Sequence, residues 1–231
     1  MNKVDIALDF AGRGWKVLAL QPNSKIPIKS VLQEHGSTDA TDNPNTIRIL
    51  WGEYPNANVG IATGEASGLT VLDLDDRTTS MQKIKALPGF KPPPPTYGTK
   101  TPRGWHLYFR YDATISQSAG RVEKVDIRNN GGYVVAAGSE VDGVTYEALN
   151  SLPIEVWDFP PIFKNGYQAN RPAVKNWVAE LQGNGALQGS RNDRLFRLAA
   201  AYRQMGHEAD EIQMLLDEAN AKNDPPLPDN E

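Results

Sequence analysis

Residues 69–75 read Leu69-Thr70-Val71-Leu72-Asp73-Leu74-Asp75, and the rest of the chain falls into place around them. Val71, Leu72 and Leu74 favour an extended backbone, in which successive side chains point to opposite faces. Asp73 and Asp75 therefore project together from one face while Leu72 and Leu74 anchor the other. Two carboxylates at that spacing repel each other and take up a proton unless a cation sits between them; oxygen ligands of this kind suit Mg²⁺ or Mn²⁺. The strand reads as half of a metal site, or more plainly as an edge strand ending in the polar turn Asp75-Asp76-Arg77.

Two later runs extend the first reading. In His106-Leu107-Tyr108-Phe109-Arg110, fed by the turn Thr101-Pro102-Arg103-Gly104-Trp105, alternation places His106, Tyr108 and Arg110 on one face. In Val125-Asp126-Ile127-Arg128 it sends Asp126 and Arg128 one way and Val125 and Ile127 into the core, ahead of Gly131-Gly132 and Tyr133 to Ala137. If the three strands are neighbours, their polar faces form a shallow cleft with three metal-binding carboxylates, Asp73, Asp75 and Asp126, beside donors for an anionic substrate.

The ordered set Asn58-x-Gly60-Ile61-x-Thr63-Gly64, Ser67-Gly68-Leu69, Leu72-Asp73-Leu74-Asp75, Thr101-Pro102-x-Gly104, His106-x-x-Phe109 and Val125-Asp126-x-Arg128-x-x-Gly131-Gly132-Tyr133-Val134-Val135 resembles the bifunctional DNA primase/polymerase (prim-pol) domain. That domain belongs to the archaeo-eukaryotic primase superfamily of plasmids, phages and integrated elements. The likeness covers about Val4 to Pro161. It implies that Asp73, Asp75 and Asp126 hold two divalent metals, Mg²⁺ or Mn²⁺, and that His106 contacts the incoming nucleotide. Many members carry an extra glycine before that histidine where this chain has only Gly104-Trp105, a tighter turn that bears on how nucleotide reaches His106.

Composition sets outer bounds. With 231 residues the chain has room for one large or two small domains, and no apolar run approaches the ~20 residues of a membrane span. Met1-Asn2-Lys3-Val4-Asp5 lacks a signal-peptide pattern, so a soluble cytoplasmic protein is expected. The absence of cysteine excludes disulfides and cysteine-ligated metal, and histidines at 35, 106 and 207 form no cluster in sequence. A formal net charge of −4 argues against a uniformly basic nucleic-acid binder but permits a local basic stripe.

Taken in order, Val4 to Arg13 has helical spacing, and Trp15 to Leu20 reads as a strand turning at Gln21-Pro22-Asn23-Ser24 into Lys25-Ile26-Pro27. Lys25 is either a phosphate contact near the cleft or a solvated turn lysine. A helix from Asn43 to Trp51 is capped by Asp42 or Asn43 with Pro44 in its first turn, and Asn58 to Gly64 is a strand with a glycine turn. Thr79 to Leu87 is helix-like, and Pro92 to Pro95 form an extended surface connector. Lys100, Arg103, Arg110, Arg121, Lys124 and Arg128 concentrate positive charge around the cleft. Arg128, sharing a face with Asp126, is the best placed for a triphosphate, the plainer alternative being an Arg–Asp ion pair within the sheet.

Composition changes after Pro160-Pro161. Helical spacing in Pro172 to Leu181, Asp193 to Met205 and Ala209 to Asn220 gives a small all-α unit that resembles the helical domain following many prim-pol domains. The boundaries expected are 1–161 for a catalytic domain, 162–170 for a linker and 171–231 for the helical domain. Arg191, Asn192, Arg194 and Arg197 offer donors for template phosphates or form a solvated helical face.

The fold expected is α/β in the α+β sense, a mixed catalytic sheet with flanking helices followed by an all-α domain. The function expected is nucleotidyl transfer: priming and extension on single-stranded DNA from dNTP or NTP, with a replicative helicase in cis or in trans. Two other readings use the same residues. One is a metal-dependent nuclease; the other is a non-catalytic single-strand binding module with Trp15, Trp105 and Tyr108 stacking on bases.

Overall fold

Leu69, Val71 and Leu72 are all fully buried, so the strand at the centre of the structure is covered on both faces rather than on one. The computed structural model describes residues 2–167, 191–204 and 209–221. It divides into two units, Met1–Tyr167 and Gln168–Glu231.

In the first unit, helix α1 (Lys3–Gly12) is capped by the Asn2 side chain, which accepts from the Asp5 N–H, and leads into strand β1 (Val17–Leu20). Helix α2 (Pro44–Glu53) has Asn43 as its N-cap and proline in its first turn, since a residue lacking an N–H loses nothing there. Strands β2 (Asn58–Ala62) and β3 (Leu69–Leu74), helix α3 (Thr79–Lys85), and strands β4 (Gly98–Lys100) and β5 (Trp105–Arg110) follow. Then come β6 (Ser118–Val122), β7 (Val125–Arg128), β8 (Tyr133–Val135), β9 (Glu140–Val141), β10 (Val144–Thr145) and β11 (Glu147–Ala148).

The main sheet has six strands in the order β11-β4-β5-β3-β7-β6, and a second has the order β1-β2-β8. Every strand pair is antiparallel. The three strands singled out from the sequence are thus immediate neighbours, with β3 between β5 and β7. In register, Asp73 lies opposite both His106 and Asp126, and Val71 lies opposite both Tyr108 and Arg128. Directly opposed residues in an antiparallel ladder share a face, so one face carries all six side chains.

That face is apolar for most of its length. Leu69, Val71 and Tyr108 pack with Phe10, Trp15, Ile47, Trp51, Val59 and Ile61 in a core between the sheet, the two helices and the smaller sheet. It turns polar at the Asp73 rung, at Arg128 opposite Val71, and at Arg110 opposite Leu69 where the strand pair ends. The opposite face, with Leu72, Leu74, Phe109 and Ile127, builds a second core with Ile84, Trp157, Phe159 and Phe163. Gln33 ties β1 to the segment that follows it: its buried amide accepts from the Ala19 N–H and donates to the Ala19 and Ile28 carbonyls, fixing the turn that carries Lys25.

Two of the three aromatic residues expected to form a base-stacking surface lie in the interior. Trp15 and Tyr108 are buried and stack on each other with ring centroids 5.5 Å apart, while Trp105 packs against the second core. The area that Trp15 and Tyr108 spend on the interior cannot stack on a strand of DNA, whereas Trp105 is only partly buried.

In the second unit, α4 (Arg191–Gln204) and α5 (Ala209–Asn220) pack through Leu198, Tyr202, Ile212 and Ala219. The sequence placed the start of α4 at Asp193; Arg191 and Asn192 instead belong to its first turn. The expected helix over 172–181, the tail from Pro225 and residues 168–170 of the expected linker over 162–170 lie outside the described residues. No described helix is long and apolar enough to cross a membrane.

Candidate active site

Where β3, β5 and β7 meet, the backbone ladder holds His106, Asp73 and Asp126 side by side on one rung, and Arg128 follows Asp126 by two residues on the same face. The guanidinium lies between the two carboxylates. Its Nη2 is 2.9 Å from Oδ2 of Asp126 and 3.3 Å from Oδ2 of Asp73, and its Nε is 3.4 Å from the latter. On the other side of Asp73, Nε2 of His106 is 3.5 Å from Oδ1. The remaining oxygen of Asp126 accepts from the Gly120 N–H at 3.0 Å. The ion pair foreseen as the plainer alternative for Arg128 is present, and it engages both carboxylates.

His106 is buried, and burial pushes its pKa below the ordinary imidazole range. The Asp73 carboxylate and the Val135 carbonyl pull in the other direction, while Lys25 and Arg128 add to the lowering. Its Nδ1 has no partner that meets hydrogen-bond geometry. Burial thus favours the uncharged form of the ring.

These side chains border a cleft of about 240 Å³ between the two sheets. Asp73, His106 and Arg128 form one wall, and Tyr133, Val134 and Val135 of β8 with Gly131 and Gly132 form another; Lys25, Gln117 and Tyr146 complete it. Gly132 lets Gln117 reach in, since a Cβ there would fall 2.0 Å from the Gln117 side-chain oxygen and displace that side chain. Tyr146 lies against His106 with ring centroids 5.8 Å apart, and burial with the nearby Asp73 charge pushes its phenol up to about 12. It stays a hydrogen-bond donor throughout the neutral range.

The structure gathers the expected residues unevenly. Asp73, His106, Arg128 and Lys25 line the cleft; Asp126 does not line it but is bonded to Arg128, and Asp75 is exposed just past the end of β3. Among the described residues, no group of three or more His, Cys, Asp or Glu side chains is arranged to hold a metal ion. Asp73 and Asp126 nonetheless fit a cation between them, because they already share one in the guanidinium.

The expected ring of positive charge is looser than supposed. Of its six members only Arg128 lines the cleft. Lys100 is paired with Glu147 at 2.8 Å, Arg121 donates to the Ile162 carbonyl, and Arg110 and Lys124 are exposed. Arg103 acts on Tyr146 without lining the pocket. Tyr146 and Gln117 were missed, since neither stands in a pattern that marks it. In the second unit Arg197 is exposed, while the side chains of Arg191, Asn192 and Arg194 lie outside the described residues.

No curated protein matches the chain. A family model for the primase C-terminal domain PriCT-1 matches residues 178–231. The model described as bifunctional DNA primase/polymerase, N-terminal, matches residues 7–161, a span that contains every residue of the cleft and more than half of the chain. The chain therefore belongs to the bifunctional DNA primase/polymerase (Prim-Pol) family.

Proposed function

We propose that the chain is a template-directed primase and polymerase, making and extending primers on single-stranded DNA by nucleotidyl transfer in plasmid or phage-type replication. The observation that carries this reading is the shared rung of His106, Asp73 and Asp126, with Arg128 and Lys25 facing the same cleft. Family membership supports a primase/polymerase role, and the setting in plasmids or phages rests on the resemblance.

Asp73, Asp75 and Asp126 are the residues proposed to hold two Mg²⁺ or Mn²⁺ ions. Bound there, such ions lower the pKa of the primer 3′-hydroxyl and neutralise charge on the triphosphate and leaving pyrophosphate. The chain's own groups supply position. Arg128 and Lys25 pair with phosphate oxygens, and the neutral His106 ring, backed by Tyr108 and Tyr146, offers one nitrogen to phosphate or sugar. The Tyr146 hydroxyl adds a donor at the cleft wall.

The domain limits proposed are 1–161 for catalysis, 162–170 for a linker and 171–231 for the helical domain. Arg191, Asn192, Arg194 and Arg197 of that last part are proposed to hold template phosphates, and a replicative helicase, in cis or in trans, is the proposed partner. The test is incubation with primed and unprimed single-stranded DNA, labelled dNTP or NTP, and Mg²⁺ or Mn²⁺. Extension and priming support the reading; degradation of the DNA points to a nuclease, and binding without chemistry refutes catalysis.

A further inference from the structure

Asp126 has a donor on each oxygen, the Gly120 N–H on one and Arg128 on the other, and it is absent from the cleft wall that Arg128 and Asp73 share. The guanidinium therefore occupies one oxygen of Asp126 and, through the same nitrogen, reaches Asp73 in the cleft wall. A guanidinium does not lose its charge by deprotonation in a protein, so a divalent ion reaching the carboxylate pair meets a fixed positive charge at the position it needs.

We propose that Arg128 is a displaceable counter-cation for Asp73 and Asp126, pairing with them when no triphosphate is bound and releasing them when phosphate oxygens take its guanidinium. This rests on the metal-dependent reading of the same site. Three observations support it. One nitrogen, Nη2, serves both carboxylates, so a single side-chain movement frees both. The Arg128 side chain retains 33% of its exposure against 16% and 18% for the two aspartates, so it is the member with room to move. Lys25 and His106 border the same cleft, so a triphosphate drawn there by Lys25 lies within reach of the guanidinium fork.

The consequence is coupling. If triphosphate removes the competitor for the carboxylates, metal and triphosphate strengthen each other's binding by the same factor, as linkage requires. Metal alone binds weakly because it must break the guanidinium's charge-assisted hydrogen bonds first. Arg128 thus acts as both a substrate contact and a guard against unproductive metal binding.

The test measures Mn²⁺ affinity by electron paramagnetic resonance with no nucleotide present, in the wild type, Arg128→Gln, Arg128→Lys and Asp73→Asn. Arg128→Gln is expected to bind Mn²⁺ about tenfold more tightly than the wild type, the equivalent of losing one charge-assisted competitor. Arg128→Lys, which keeps the charge, should stay close to the wild type. Equal or weaker Mn²⁺ binding by a folded Arg128→Gln overturns the proposal. Mn²⁺ binding indifferent to Asp73→Asn overturns the metal reading itself, and the proposal with it. A measurement on the unaltered protein covers the case in which Arg128→Gln does not fold. With ¹⁵N-labelled arginine, the Arg128 Nε–H resonance should shift on adding Mg²⁺ with a non-hydrolysable dATP analogue and stay in place with the same Mg²⁺ alone. An equal shift with Mg²⁺ alone, or none with both, refutes the exchange.

Discussion

His106 and Asp73 face each other across the β3–β5 ladder, with Nε2 of the imidazole 3.5 Å from Oδ1 of the carboxylate. The ring is buried, shifted toward its neutral form and short of a partner at Nδ1, a costly arrangement for a residue whose only task is packing. His106→Ala is therefore expected to weaken nucleotide binding by about tenfold, the worth of one good hydrogen bond to a charged ligand, while leaving Mn²⁺ affinity nearly unchanged. Titration with a fluorescent nucleotide and with Mn²⁺ separates the two. Full nucleotide affinity with a lowered melting temperature would show that the histidine is only a packing element.

Asp73→Ala and Asp126→Ala are each expected to abolish nucleotide incorporation in a folded protein. Either change leaves Arg128 with the other carboxylate as partner, and all three side chains are partly exposed to water. The stability change should be about 1 kcal/mol or less, in the range of partly solvated ion pairs. Primer-extension assays alongside thermal melts check both halves. Near wild-type incorporation by either variant, with metal supplied, removes that aspartate from the site.

Gly104 marks the turn that delivers His106 to its rung. A Cβ there would fall 1.5 Å from the Leu74 carbonyl oxygen, at the end of the strand that carries Asp73, and the turn is closed by Thr101, whose hydroxyl accepts from the Gly104 N–H. Backbone cannot yield as a flexible side chain can. Gly104→Ala is expected to cost roughly 2–4 kcal/mol, typical of a forced backbone shift in a packed region, and to disturb the His106–Asp73 pairing. Urea denaturation reads the first effect, and an unchanged midpoint would show that the turn accommodates the methyl group.

Much of this arrangement was legible in the sequence because strand alternation is rigid. The pattern in 69–75, 106–110 and 125–128 assigned Asp73, His106, Asp126 and Arg128 to one polar side, and the ladder registers them so. Alternation does not say how far along a face the polarity extends. Val71 and Tyr108 share that face and are buried, which turned a supposed shallow polar surface into a core with a cleft at one end. Nor does it say which charges meet across strands. Arg128 could have faced substrate or its own sheet, and only the register, with Asp73 opposite Asp126, brings one guanidinium to both. Aromatic residues were hardest to read, since Trp15 and Tyr108 suit a stacking surface or an interior equally well until the second sheet and α1 are seen to cover them.

The last prediction concerns the second unit, whose two described helices bury Leu198, Tyr202, Ile212 and Ala219 in a core of their own. Among its described residues there is no carboxylate cluster of the kind that could hold metal, so it is expected to contribute binding rather than chemistry. Starting a primer requires a template and two nucleotides held together with no duplex to grip, whereas extension presents a duplex that the first unit can hold by its backbone. Extra template contacts should therefore matter most for initiation, and Arg191, Asn192, Arg194 and Arg197 in α4 are the candidates to make them. A truncation ending at Gly166 keeps nearly all of the first unit, including its buried cores. It is expected to extend a primed template at close to the full-length rate and to lose de novo priming, measured on the same single-stranded DNA with and without a primer. Equal loss of both activities in a folded truncation, or priming retained in full, would refute this division of labour, because either outcome places initiation and extension on the same set of contacts.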